Sequence, residues 1–235
     1  MNPRNRTSRG EDPIASRAVR LRVRRIFDAL YRTYGPRHWW PGESATEIVI
    51  GAILTQNTNW KNVEKAIDSL KNHRLIDWKK LRTVTESDLA PLIRSAGYHN
   101  LKAKRLMNFV RWLWTHYDED LENAAQVSTS QLRDELLSVN GIGPETADSI
   151  LLYALGRPTF VVDAYTGRMA RRHGLIARDH DYEQLKSLFE SSLPPEQSLF
   201  NEYHALIVEV GKRHCGPKPK CEGCPLARFE HNESA

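Results

Sequence analysis

Apolar residues along this chain recur every three or four positions nearly everywhere and alternate almost nowhere, so the pattern predicts helices and no sheet. From Ala18 to Tyr34, Val19, Leu21, Val23, Ile26, Phe27, Leu30 and Tyr31 keep near-helical spacing with arginines between them, until Gly35-Pro36 ends the run. Ala45 to Leu54 is an almost unbroken apolar helix, and Lys61 to Leu70 is amphipathic. Thr85-Glu86-Ser87-Asp88 reads as a capping box for a short helix to Ser95, which Gly97-Tyr98 breaks. Asn100 to Tyr117 predicts a long helix with Phe109, Trp112 and Trp114 inside and Lys102, Lys104, Arg105 and Arg111 on a solvated or phosphate-facing side. Ser128-Thr129-Ser130 starts another. Tyr165 to His173, Tyr182 to Leu193 and Glu202 to His214 complete an all-α fold. Residues 1 to 16 have no apolar period and read as a disordered, weakly basic arm.

One turn stands apart from these helices. Between LRDELLSV and PETADSILLYAL lie Gly141-Ile142-Gly143-Pro144, two glycines two apart with proline at the first helical position. Glycine tolerates positive φ and lets another backbone come close, so consecutive N–H groups and the next helix's N-terminus can face one anion, such as a phosphate. A plain connection between two helices uses the same residues. The second helix leads into Pro158-Thr159-Phe160-Val161-Val162 and then Asp163.

At 235 residues the chain can form one large or two small domains. A net charge of +5 favours a polyanionic partner without requiring one. No apolar run approaches the roughly 18 residues that span a bilayer, and the first residues lack the apolar centre of a secretory signal, so a cytoplasmic protein is expected. Its three cysteines, Cys215, Cys221 and Cys224, lie close together, which argues against a disulfide scaffold and for a local metal site or its remnant.

Gly141-Ile142-Gly143-Pro144-Glu145-Thr146-Ala147, followed by Arg157-Pro158-Thr159-Phe160-Val161-Val162-Asp163, resembles the hairpin and aspartate segments of the endonuclease III superfamily of DNA glycosylases. The resemblance covers about residues 18 to 226. It implies two helical modules, residues 38–157 with six helices and the hairpin, and residues 17–37 with 158–235, with a cleft between them for duplex DNA. It implies that Gly141, Ile142, Gly143 and Thr146 contact DNA. By the same likeness Asp163 stabilises the positively charged sugar and directs the attacking water, as carboxylates do in glycoside hydrolysis. Gln56 would enter the gap left by a flipped base; the other reading is an amide that caps a helix or braces its loop.

Within the superfamily, Trp39-Trp40-Pro41, Gln56-Asn57-Thr58-Asn59-Trp60 and Pro144-Glu145 resemble the endonuclease III-like 3-methyladenine DNA glycosylases. That likeness implies a pocket of Trp40, Pro41 and Trp60 stacked on an alkylated purine, whose positive charge an aromatic face attracts, with Lys212 approaching it. Bifunctional members carry G-x-G-x-K-T-A, and the lysine forms a Schiff base with the sugar. Glu145 stands in that place, and a carboxylate cannot form an imine. The expectation is a monomeric, monofunctional glycosylase acting on damaged duplex DNA at the nucleoid. Removal of thymine or adenine from mispairs is the alternative. A strand-cleaving endonuclease III type fits less well, as does a DNA-binding hairpin protein without catalysis.

Many superfamily members hold a 4Fe–4S cluster through C-x6-C-x2-C-x5-C. Here the spacing is Cys215-x5-Cys221-x2-Cys224, with Glu230 where a fourth cysteine is expected and His231 beside it. A cluster with an unresolved fourth ligand and a degenerate loop without cofactor both stay open. Lys218-Pro219-Lys220 offers phosphate contacts in either case.

Overall fold

A computed structural model describes residues 16–37, 39, 42–177 and 180–232. Trp40, Pro41 and nearly all of the polar arm therefore lie outside the described residues. The helices are α1 (Arg17–Tyr34), α2 (Ala45–Leu54), α3 (Trp60–Asn72), α4 (Trp78–Arg82), α5 (Glu86–Leu92), α6 (His99–Tyr117), α7 (Leu121–Ala124), α8 (Thr129–Ser138), α9 (Pro144–Ser149), α10 (Ala164–Arg172), α11 (Tyr182–Ser192) and α12 (Gln197–Arg213). No strand occurs among the described residues, so the fold is all-α.

Side-chain caps set most helix starts. Ser44, Asn59, Ser128 and Asp181 each accept a backbone N–H in the first turn of α2, α3, α8 and α11. At α5 the capping box is half formed. Thr85 accepts the Asp88 N–H at 3.2 Å, but the Asp88 carboxylate takes the Thr85 hydroxyl at 2.7 Å instead of its backbone N–H.

The chain divides into two compact units. The larger comprises His38–Val161 with Glu196–Glu202, and the other Met1–Arg37, Val162–Pro195 and Tyr203–Ala235. In the larger unit α2 is the central helix, buried from Val49 to Leu54 and packed against α3, α6 and α9. In the smaller unit, fully buried Tyr203 on α12 donates its hydroxyl to the Val23 carbonyl of α1 at 2.7 Å. Its ring meets Phe27 and Phe189 edge-on, which ties three helices at one point. Gly211 of α12 lies so close to Tyr165 of α10 that a Cβ there would stand 2.2 Å from the ring.

Helix α6 departs from the expected split of bases outside and aromatics inside. Trp114 is 43% exposed, with the Arg82 guanidinium 3.6 Å from its ring centroid. Lys102 is buried, and its Nζ donates to the carbonyls of Leu54 at 2.8 Å and Ala96 at 2.7 Å. Those carbonyls close α2 and the short 3₁₀ turn Arg94–Ala96, and helix ends have carbonyls to satisfy. Burial, with a smaller contribution from Arg105, lowers the Lys102 pKa to about 8. Between that pH and the ordinary lysine range the unfolded chain keeps a proton that the folded chain has released, so Lys102 favours folding more as pH rises. The urea midpoint gap between the native chain and Lys102→Met should therefore widen from pH 8 to pH 10; a constant gap would refute the lowered pKa.

Candidate active site

The hairpin joins α8 to α9. Ile142 is buried and donates its N–H to the Val139 carbonyl at 3.0 Å, which closes the turn and anchors its tip. Gly141 has φ +99°, and a Cβ there would stand 2.3 Å from Arg105 Cγ. The fold itself therefore requires glycine at 141. Gly143 differs: its φ is −94° and a Cβ would meet nothing within 4 Å. Pro144 is the first helical residue of α9, and the first helical bond runs from the Ala147 N–H to the Gly143 carbonyl at 2.9 Å. The N–H groups of Glu145 and Thr146 thus precede the ladder, at the positive end of the helix dipole.

Neighbouring elements hold this hairpin rigidly. Gln56, in the turn after α2, donates its amide to the Gly141 carbonyl at 3.0 Å and the Thr146 hydroxyl at 2.9 Å. Its amide oxygen accepts from the Arg105 guanidinium. Asn108 of α6 donates to the Asn140 carbonyl at 2.8 Å. On the inner side Arg133 of α8 grips fully buried Asp148 of α9 with two bonds, at 2.9 and 3.0 Å, and the Thr159 hydroxyl adds a third at 3.1 Å. Removing one partner of such a pair costs about 3–5 kcal/mol, so the two hairpin helices keep one spacing. After Ser149 the helix continues as a π-turn, Ile150–Ala154, a form that often accompanies functional sites.

The predicted residues fall into two sets. Gln56, Gly141 and Thr146 come together in the larger unit, with Ile142 and Gly143 in the same turn. Glu145 is exposed in the first turn of α9. Trp60, the first residue of α3, is half-buried and packs against the core's edge. Asp163 and Lys212 belong to the smaller unit, where Lys212 is exposed on the last turn of α12.

Asp163 is the N-cap of α10. Its Oδ1 accepts the Thr166 N–H at 2.7 Å and the Thr166 hydroxyl at 2.8 Å, which fixes the carboxylate plane. The side chain is 13% exposed, and Oδ2 lies 3.7 Å from Nε2 of buried His204. That is too long for a hydrogen bond but close for a charge. Burial lowers the His204 pKa against the opposing pull of Asp163, which disfavours a proton on the ring beside the acid. One oxygen is thus committed to the helix cap, and the other is left for chemistry at a cation or a water.

Two further residues belong to these clusters. His204 and Arg105 sit far in sequence from Asp163 and Gln56, and no spacing rule joins them. Tyr98 is 70% exposed with φ +47° at the N-cap of α6, a strained backbone that costs about 1–3 kcal/mol and tends to persist at functional sites. The unusual conformation of an exposed aromatic after Gly97 is a signal that Gly-Tyr, read only as a helix breaker, conceals.

A second cluster surrounds the cysteines. Cys215, Cys221 and Cys224 line one cavity with His173, His214 and His231, and they form no disulfide. Arg172 of α10 donates through Nη1 to Cys215 Sγ at 3.2 Å and the Gly216 carbonyl at 2.8 Å, and through Nη2 to the Pro217 carbonyl at 3.0 Å.

A family profile described as HhH-GPD superfamily base excision DNA repair protein matches residues 50–195. A Methanocaldococcus jannaschii protein named as a DNA repair glycosylase is 50% identical over 208 residues, 88% of this chain and 94% of its own. The crystal structure of the H. pylori 3-methyladenine DNA glycosylase bound to 1,N6-ethenoadenine superposes with a TM-score of 0.71 at 31% identity, over 81% of this chain and 97% of that one. A trapped endonuclease III–DNA covalent intermediate shares the fold, with a TM-score of 0.77 at 22% identity over 89% and 94% of the two chains. Among the described residues no helix is long and apolar enough to cross a membrane.

Proposed function

Since the chain belongs to the HhH-GPD superfamily of base excision DNA repair proteins, as a DNA glycosylase, we propose that it hydrolyses the glycosidic bond of an alkylated purine in duplex DNA without cutting the strand. The observation that carries this reading is Glu145. The first turn of α9, where bifunctional relatives present an amine, presents a carboxylate, so the attacking group is water.

The residues then divide the work. The hairpin from Gly141 to Thr146 binds a backbone phosphate through its first-turn N–H groups, and the bonds from Gln56 and Arg105 keep it preformed. Exposed Tyr98 supplies an apolar contact to unstacked bases. By this reading Asp163 Oδ2, the oxygen not held by the helix cap, stabilises the positive charge that grows at the anomeric carbon as the base departs and orients the water that follows. An alkylated purine is already cationic and a good leaving group, so stacking on an aromatic face suffices to hold it. The ligand named for the H. pylori enzyme supports this choice of base.

The test is a set of duplexes carrying 3-methyladenine, a thymine mispair or an adenine mispair, with base release assayed separately from strand cleavage after alkali. Release of the alkylated base with cleavage only after alkali is expected. Release from mispairs alone would favour the mismatch reading. A matching gain of function follows: Glu145→Lys should yield a borohydride-trapped protein–DNA adduct that the native chain does not form. An adduct with the native chain would overturn the assignment of water as nucleophile.

A further inference from the structure

The hydrolysis has no use for Lys102, although a fully buried ammonium is an expensive group to keep. Its surroundings show what it holds. Nζ donates to the Leu54 carbonyl at 2.8 Å and the Ala96 carbonyl at 2.7 Å, using two of the three donors an ammonium has. The Lys102 backbone N–H donates to the Tyr98 carbonyl at 2.9 Å. One residue therefore brackets Gly97 and Tyr98: its side chain grips the carbonyl before the pair, and its backbone grips the carbonyl that ends it. Both bracketed residues have positive φ, +71° and +47°. A tyrosine keeps such a backbone only where its surroundings overrule the strain.

What the turn presents is apolar. Tyr98 is 70% exposed, and Leu101, three residues on and so its neighbour on the surface of α6, is 47% exposed. The same helix ties this tip to the hairpin. Lys102, Arg105 and Asn108 recur every three residues and donate away from α6: Lys102 to the last carbonyl of α2, Arg105 to the amide oxygen of Gln56, and Asn108 to the Asn140 carbonyl. Gln56 comes two residues after Leu54 and itself holds Gly141 and Thr146. Of these three links, Lys102 is the one that also grips the turn carrying the tip.

We propose that Lys102 is a positioning residue for nucleotide extrusion: its ammonium locks the Gly97–Tyr98 turn to the end of α2, holding Tyr98 and Leu101 in register with Gln56 and the hairpin. Lys102 has this role only if, as proposed for Tyr98, the enzyme unstacks duplex DNA, whichever base it then releases. An apolar tip that enters a base step must bear the cost of unstacking without turning away. Two charge-assisted bonds in a buried site resist that turning better than neutral contacts do. Lys102 touches no reacting atom; it acts through Tyr98.

The experiment uses the full chain and a duplex carrying a tetrahydrofuran abasic analogue opposite 2-aminopurine, a base whose fluorescence rises on unstacking. Tyr98→Ala should cut that rise by about fivefold or more, the size of one lost base–aromatic contact. Lys102→Met, which keeps the length and removes the donors, should cut it equally. Its affinity for undamaged duplex should stay within about twofold of native, the scatter of sites that do not couple, because the hairpin keeps Gln56, Arg105 and Asn108. The double variant should lose no more than either single one, since both act on one tip. Lys102→Arg, which returns charged donors to the site, should recover part of the rise. If far-ultraviolet circular dichroism shows Lys102→Met unfolded, Lys102→Gln takes its place under the same expectations. Native emission in Lys102→Met with a loss in Tyr98→Ala overturns the role of Lys102 and leaves that of Tyr98 standing; native emission in both overturns the two together. Additive losses in the double variant, or Lys102→Arg no better than Lys102→Met, would mark Lys102 as a support of the fold alone and overturn the proposal.

Discussion

Asp163→Asn should slow single-turnover base release by about 10³-fold, within the range for a positioned acid–base group, while duplex affinity and thermal midpoint stay close to native. The separation arises because the carboxylate has two occupations. Oδ1 caps α10 through two bonds from Thr166, and an asparagine oxygen caps a helix as well as aspartate does. Oδ2 supplies charge, which the amide lacks. Asp163→Ala should lose the same activity and a further ~0.5–2 kcal/mol of stability with the cap. Full activity in Asp163→Asn would remove this residue from the reaction.

Gly141→Ala should weaken duplex binding by at least about tenfold and destabilise the fold by roughly 1–3 kcal/mol. One methyl group meets two obstacles there: a backbone at φ +99° that L-residues rarely adopt, and Arg105 Cγ at 2.3 Å. Arg105 cannot yield freely, because it also holds Gln56, and Gln56 holds the Gly141 carbonyl and Thr146. Gly143→Ala is the internal comparison. With no neighbour within 4 Å of its Cβ and an ordinary φ, it should leave the urea midpoint unchanged. Any binding it loses reports the close approach of DNA itself. Native-like affinity in Gly141→Ala, measured by anisotropy on an abasic-site duplex, would show that the hairpin is not the grip.

Long periodic stretches were legible from the sequence. Ala45–Leu54 was expected residue for residue, and the long helix ending at Tyr117 begins one position earlier than its apolar pattern suggested. Helices α4 and α7 escaped, since five and four residues are too few to show a period. The π-turn at Ile150–Ala154 escaped because a register change leaves the apolar pattern intact. Lys102 was misplaced for a physical reason: a base in an amphipathic run defaults to the surface, and the Leu54 carbonyl that draws it inward lies 48 residues away. The same limit applies at the acid. A motif marks Asp163, whereas nothing local marks His204, which only folding brings to it.

Helix α10 begins at the Asp163 cap and ends at Arg172, whose side chain grips the cysteine loop. Nine residues make a strut of about 13 Å, with the Asp163 carboxylate at one end and the cysteine loop at the other. This has a practical effect on how the protein ages in storage. Air oxidation of the cysteines that slackens the loop removes the anchor of Arg172 and lets the far end of the strut drift. A stored sample should then lose turnover while its hairpin still binds DNA, so an activity lost on the bench need not mean damage to any residue that meets the substrate.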